Sequence, residues 1–166
     1  MITDSEEPVL LVVGLGNVQR EDDGVGVRLV ETIEGELSGG IGAAFWGDSD
    51  ALSIAHELVE CSRPVLFVDC ARMGLSPGEW RMFDESSVHF RDSQNALSAH
   101  DFGLDYALRL ARNLGYRHPV RFFAVEPVSC ELRDSLSVPI TRRISQLAGE
   151  LLVAIQTLKV ELQRGR

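Results

Sequence analysis

Basic residues are scarce in this chain. Lysine and arginine total 16 against 25 aspartates and glutamates, a formal net charge of −9. Binding along a phosphate backbone needs clustered cations, so nucleic acid is excluded as the expected partner. Cysteine is scarce too: Cys61, Cys70 and Cys130 are odd in number, far apart and free of any CxxC spacing. A disulfide framework or a thiolate zinc site is therefore not expected, and all three read as reduced, partly buried thiols. No apolar run approaches the roughly 18 residues of a membrane span. The first residues, MITDSEEP, are acidic where a signal peptide would be basic and then apolar. Together these absences predict a soluble cytoplasmic protein. GxSxG and Walker patterns are missing as well. The GxG of VGLGNVQRED lacks the third glycine of a dinucleotide fingerprint, because Gln19 stands in its place.

What the chain does contain is an alternation of apolar runs and helical periods. Its 166 residues suit one domain, taken here as residues 1–166. Val9 to Val13, Ile41 to Trp46, VLFVDC after Pro64, and Val120 to Val125 read as strands, most of them apolar throughout and so covered on both faces. GEWRMFDE alternates, as a half-exposed edge strand does. Helical spacing follows Asp22, follows Asp50, and runs from His100 to Gly115, where Leu114 closes the stripe. The last helix carries Ile140, Ile144, Leu147, Leu151, Leu158 and Leu162 on one stripe. Ser137 stands as its N-cap, Pro139 in its first turn, and the QRGR tail is expected to fray. Ser86 to Ala99 has no clear period. Strand alternating with helix predicts an α/β fold: a three-layer α/β/α sandwich around a mostly parallel twisted sheet with one antiparallel edge strand. The stripe of the last helix is accounted for by packing on that sheet, so a monomer is expected.

In such sheets ligands bind outside the carboxyl ends of the strands. That edge collects Asp22 and Asp23 after the first strand, Asp69 at the end of the third, and His100 at the start of the helix that follows the long loop. Each has a plainer reading: Asp23 as a first-turn acid, Asp69 as a turn former, His100 as a helix residue facing solvent. Taken together, two carboxylates and one imidazole make a donor set for a divalent ion. Oxygen and imidazole ligands suit nickel, zinc, iron or manganese. A cation would also relieve the repulsion within Glu21-Asp22-Asp23. His56, His89 and His118 read as surface or structural residues. Cys70 beside Asp69 lacks a second motif that would make it a nucleophile.

Four motifs occur in order across the chain: GLGNVQREDDGVGVRLVE, VLFVDCARMG, SAHDFGLDYAL and FFAVEPVSCELRDSLSVPI. In this order and spacing the sequence resembles the hydrogenase maturation proteases, which process the large subunit of [NiFe] hydrogenases. The resemblance runs from about Val9 to Leu158. It implies a phosphorylase/hydrolase-like sandwich and removal of a C-terminal extension from the large-subunit precursor after nickel insertion. It also implies that Asp23, Asp69 and His100 are the catalytic and metal-contacting residues, and that the nickel arrives with the substrate. One departure stands out: the family's glycine- and threonine-rich loop after the second strand is FWGDSDALS here. A precursor-binding chaperone that does not cleave, or an unrelated metal-dependent hydrolase on the same sandwich, are the alternatives.

Overall fold

Short runs of valine, leucine and phenylalanine build the sheet, because branched and aromatic side chains favour a pleated surface buried on both faces. A computed structural model of the chain describes residues 8–87 and 99–165. Its strands are β1 (Leu10–Leu15), β2 (Ile41–Gly47), β3 (Val65–Cys70), β4 (Trp80–Asp84) and β5 (Val120–Val125). They lie in the order β2-β1-β3-β5-β4. The pairs β1–β2, β1–β3 and β3–β5 are parallel, and edge strand β4 is antiparallel to β5. The helices are α1 (Val25–Ile33), α2 (Ala51–Cys61), α3 (Ala99–Asn113) and α4 (Val138–Arg164). The expected three-layer sandwich with one antiparallel edge strand is what the chain forms.

Side-chain alternation along each strand divides the core in two. Leu10, Val12, Leu66, Val68, Phe123 and Val125 pack with Leu29 and Ile33 of α1 and with Leu147, Leu151 and Ile155 of α4. Val13, Leu15, Val65, Phe67 and Phe122 pack on the other face with Ile54 and Leu58 of α2 and Leu104, Leu108 and Ala111 of α3. Strands β1 and β3 are neighbours, yet the chain leaves β1 for β2 on one side and comes back to β3 on the other. The crevice outside their carboxyl ends is therefore the topological switch point of the sheet.

Several local expectations need correcting. Helix α1 does not begin at Asp22: Glu21–Gly24 forms a 3-10 turn first. Ser137 occupies the N-cap position of α4 without capping it, since its hydroxyl donates instead to Asp22. Leu52, expected on the apolar stripe of the helix after Asp50, and Leu114 are 67% and 59% exposed, and Leu114 lies beyond the end of α3. Helix α4 runs on through Arg164, into the stretch expected to fray. Asp50 does cap α2, accepting from the Ser53 N–H at 2.8 Å. His89 and Ser98, in the aperiodic stretch, lie outside the described residues. Among the described residues no helix is long and apolar enough to cross a membrane.

The start of α1 is pressed against the sheet through Gly26. A Cβ there would lie 2.0 Å from the Val68 carbonyl oxygen and 2.6 Å from that of Leu15. Both atoms are backbone of the two central strands, so α1 itself would have to move. Gly26→Ala is expected to cost on the order of 1–3 kcal/mol, as overpacking does. Gly35→Ala, at a site with nothing within 4 Å, is expected to leave the unfolding midpoint in urea nearly unchanged.

Candidate active site

The chain leaves β1 through Gly16, whose φ of 107° is open to glycine and costly for other residues. Its N–H donates to the Gly47 carbonyl at 2.9 Å, and a Cβ on it would sit 1.9 Å from the Asp23 carbonyl oxygen. Asn17 then organises the turn. Its side-chain oxygen accepts from the Gln19 N–H at 2.8 Å, and its own N–H donates to Asp23 Oδ2 at 2.9 Å. Its amide nitrogen donates to Asp48 Oδ2 at 3.2 Å, tying the β1 turn to the FWGDSDALS loop. The residues in which this chain departs from its resembled family are thus hydrogen-bonded into the same edge.

The three consecutive acids do not share one place. Glu21 takes a positive φ of 49°, and its carboxylate lies 3.9 Å from the Arg133 guanidinium. Asp22 is fully buried and accepts four hydrogen bonds. Ser137 N–H reaches Oδ1 at 2.8 Å, while the Ser137 hydroxyl, Val128 N–H and Ser129 N–H reach Oδ2 at 2.8, 2.9 and 3.4 Å. Only Asp23 turns toward the third strand. Its Oδ1 lies 3.7 Å from Cys70 Sγ. The repulsion expected among these acids is thus dispersed by separate partners; it does not require one shared cation. Nor does Asp23 cap a helix: α1 has Gly24 at its N-cap, with no side-chain cap.

Asp69, the penultimate residue of β3, accepts from the Cys70 N–H at 2.8 Å through Oδ1. That same oxygen would lie 3.4 Å from a Cβ on Gly16, so Asp69 stands directly beside the β1 turn. His100 falls in the first turn of α3, and its side chain lies outside what the structure describes. Next along that helix, Gly103 and Leu104 line a cavity of about 220 Å³ with Leu15, Gly47, Asp48 and Ser49. The helix that carries His100 therefore borders the same edge as the β1 turn. A larger cavity of about 670 Å³ lies away from these acids, between β4 and α4, and is mostly apolar. Its indole donor, Trp80 Nε1, is already committed to Glu150 at 2.6 Å.

Cys70 and Cys130 are free thiols, as expected, but the fold brings them together. They are 60 positions apart, yet their sulfurs are 4.0 Å apart beside Asp23. The Cys70 thiol is hydrogen-bonded with Cys130, is buried, and faces Asp69, and these effects raise its pKa well above the ordinary range. The same hydrogen bond with Cys70 holds the Cys130 thiol below the ordinary range. A thiol raised in this way makes a poor nucleophile, in keeping with the absence of a nucleophile motif. Glu126 completes the edge. It is buried just beyond β5, and its Oε2 accepts from the Met73 and Leu75 N–H groups at 2.5 and 3.3 Å. The sequence placed Asp22 at this edge without revealing that it is a clamp, and Glu126 did not stand out. Position after a strand was the only available signal, and it does not tell a clamp from a surface acid.

Asp22→Ala would leave three backbone N–H groups and a hydroxyl without their acceptor. The expected loss is about 3 kcal/mol or more, read as a lowered urea midpoint. Asp22→Asn, which keeps one acceptor oxygen, is expected to fall between that variant and the parent.

Comparison with known proteins gives the family and the fold. A family model described as hydrogenase maturation protease matches residues 48–154. The hydrogenase expression/formation protein HupD of Rhizobium leguminosarum bv. viciae is 28% identical over 152 residues, covering 90% of this chain and 72% of that protein. HupD of Bradyrhizobium diazoefficiens is 28% identical over 160 residues, covering 95% and 82%. Among solved structures, the hydrogenase maturating endopeptidase HybD from E. coli superposes with a TM-score of 0.75 at 22% identity, over 89% of this chain and 92% of its own. The [NiFe] hydrogenase maturation protease HycI from Thermococcus kodakarensis gives 0.65 at 22% identity, over 91% and 94%. The two structural likenesses establish the fold, and the family match extends from the β2 exit loop well into α4. The chain belongs to the hydrogenase maturation proteases and is a peptidase.

Proposed function

We propose that this protein is the endopeptidase that removes the C-terminal extension of a [NiFe] hydrogenase large-subunit precursor once nickel is in place. Asp23, Asp69 and His100 would recognise that nickel as part of the substrate. The observation that carries the reading is the placement of Asp23 and Asp69 beside the same Gly16 turn, at the switch point of a sheet whose family is proteolytic. Two carboxylates and an imidazole suit a borderline divalent ion. They would contact the cation through positions left open by the precursor's own ligands. Docking in this way fixes the extension relative to the sheet edge, and that positioning is itself a large part of catalysis.

In the hydrolytic step, water adds to the scissile carbonyl carbon, the C–N bond breaks, and the departing amine takes up a proton. A carboxylate at this edge is suited to accept the proton from water, while the substrate's nickel is recognised and can also polarise the carbonyl. The raised Cys70 thiol argues against that residue as an acyl-thiol nucleophile. We further propose that the protein works as a monomer in the cytoplasm. The apolar stripe of α4 is spent on its own sheet, and three free thiols fit a reducing compartment.

The test is incubation with nickel-loaded and nickel-free precursor, read by intact mass. Only the nickel-loaded form should be shortened. Asp23→Ala and His100→Ala should each slow cleavage by about 100-fold or more, whereas exposed His56→Ala should not. Full activity in both site variants would overturn the assignment. A stable complex that is never shortened would favour the chaperone reading. Turnover of a small substrate without precursor binding would favour an unrelated hydrolase.

A further inference from the structure

The pairing of Cys70 with Cys130 has no role in the proposed hydrolytic step. We infer that Asp23, Cys70 and Cys130 form a binding site for a thiophilic divalent cation, one that the protein itself can hold in the absence of any precursor. One ligand atom from each of the three lies within 4.8 Å of the other two. A tetrahedral ion with metal–sulfur bonds of about 2.3 Å and metal–oxygen bonds of about 2.1 Å needs about 3.8 Å between sulfurs and about 3.6 Å from sulfur to oxygen. The structure holds Cys70 Sγ 4.0 Å from Cys130 Sγ and 3.7 Å from Asp23 Oδ1. Two edges of the coordination triangle thus stand within a few tenths of an ångström of what an ion requires.

The scaffold holds this triangle from three directions. Cys70 is fixed by β3, Asp23 by the Asn17 N–H, and the segment carrying Cys130 by the bonds from Val128 and Ser129 N–H to Asp22. Cys70 and Asp23 are buried while Cys130 is half-buried, so the ion would enter from the Cys130 side. On binding, the two S–H bonds give way to two metal–sulfur bonds, and both protons leave to solvent. Three protein ligands leave a fourth position for water or a substrate group. Two soft sulfurs favour zinc, cadmium or cobalt over magnesium or calcium. The inference does not depend on the nickel reading, since it needs neither His100 nor a substrate. The two sites share Asp23, so occupation of one would weaken the other.

The experiment uses the full chain, metal-stripped and fully reduced, titrated with Co(II) alone. One equivalent should bind, with thiolate-to-cobalt charge-transfer absorption in the near ultraviolet and the visible bands of a tetrahedral ion. Cys130→Ser should lose charge-transfer intensity and weaken binding by more than about tenfold, at least what losing even an outer-sphere partner costs. Cys61→Ser should change neither. In the parent chain, Zn(II) should protect Cys70 and Cys130, but not Cys61, from alkylation, and this readout requires no variant to fold. Cobalt binding without thiolate absorption, an unchanged spectrum in folded Cys130→Ser, or equal alkylation of all three cysteines with and without zinc would overturn the inference. Precursor processing does not enter the assay, so its outcome is separable from that of the proposed protease function.

Discussion

The geometry of this edge depends on one buried carboxylate. Asp22 gathers donors from Val128, Ser129 and Ser137, over a hundred positions away in sequence, and so closes the turn after β1 onto the segment between β5 and α4. A buried acid is costly unless its lone pairs are filled, and here four donors fill them. The same constraint explains a non-glycine residue with positive φ at Glu21. That backbone conformation is held by the Glu21 N–H donating to the Arg133 carbonyl at 2.8 Å and the Arg133 N–H donating to the Gln19 carbonyl at 3.0 Å. Strain within the turn is offset by bonds to a distant segment. As a result Asp23 is presented to β3 at a fixed height.

From that clamp the layout of the site follows. Parallel strands β1 and β3 bring their carboxyl ends together. Gly16 admits the Asp23 carbonyl and Asp69 against the same turn, and Asn17 fastens both Asp23 and the β2 exit loop. That exit loop is where this chain differs from the glycine- and threonine-rich pattern it resembles, and Asp48 is bonded into the turn there. The difference therefore bears on what meets the edge, while Asp69 is set by β3 and Asp23 by the 3-10 turn that follows β1.

Much of this was legible from residue order alone. Strands β3 and β5 stand where doubly apolar runs predict them, because a strand covered on both faces leaves an unbroken hydrophobic signature. Asp69 was readable as a strand-end acid for the same reason. The role of Asp22 was not readable, since its four donors come from another part of the chain and nothing beside it in sequence announces them. Ser137 was recognised by position and misread in chemistry: the hydroxyl that a helix start invites is claimed by Asp22. The Cys70–Cys130 contact was hidden because spacing rules see thiols only when they are near in sequence, and these meet through the β3–β5 pairing and the segment that follows β5.

The central claim is that Asp23, Asp69 and His100 meet a cation carried by the precursor. X-ray absorption at the nickel edge would test it most directly, comparing the nickel-loaded precursor alone with the same precursor bound to this protein. The account predicts additional oxygen and nitrogen scatterers in the nickel shell of the complex, and their loss when the complex is made with Asp69→Ala. A nickel shell that does not change on complex formation would contradict it.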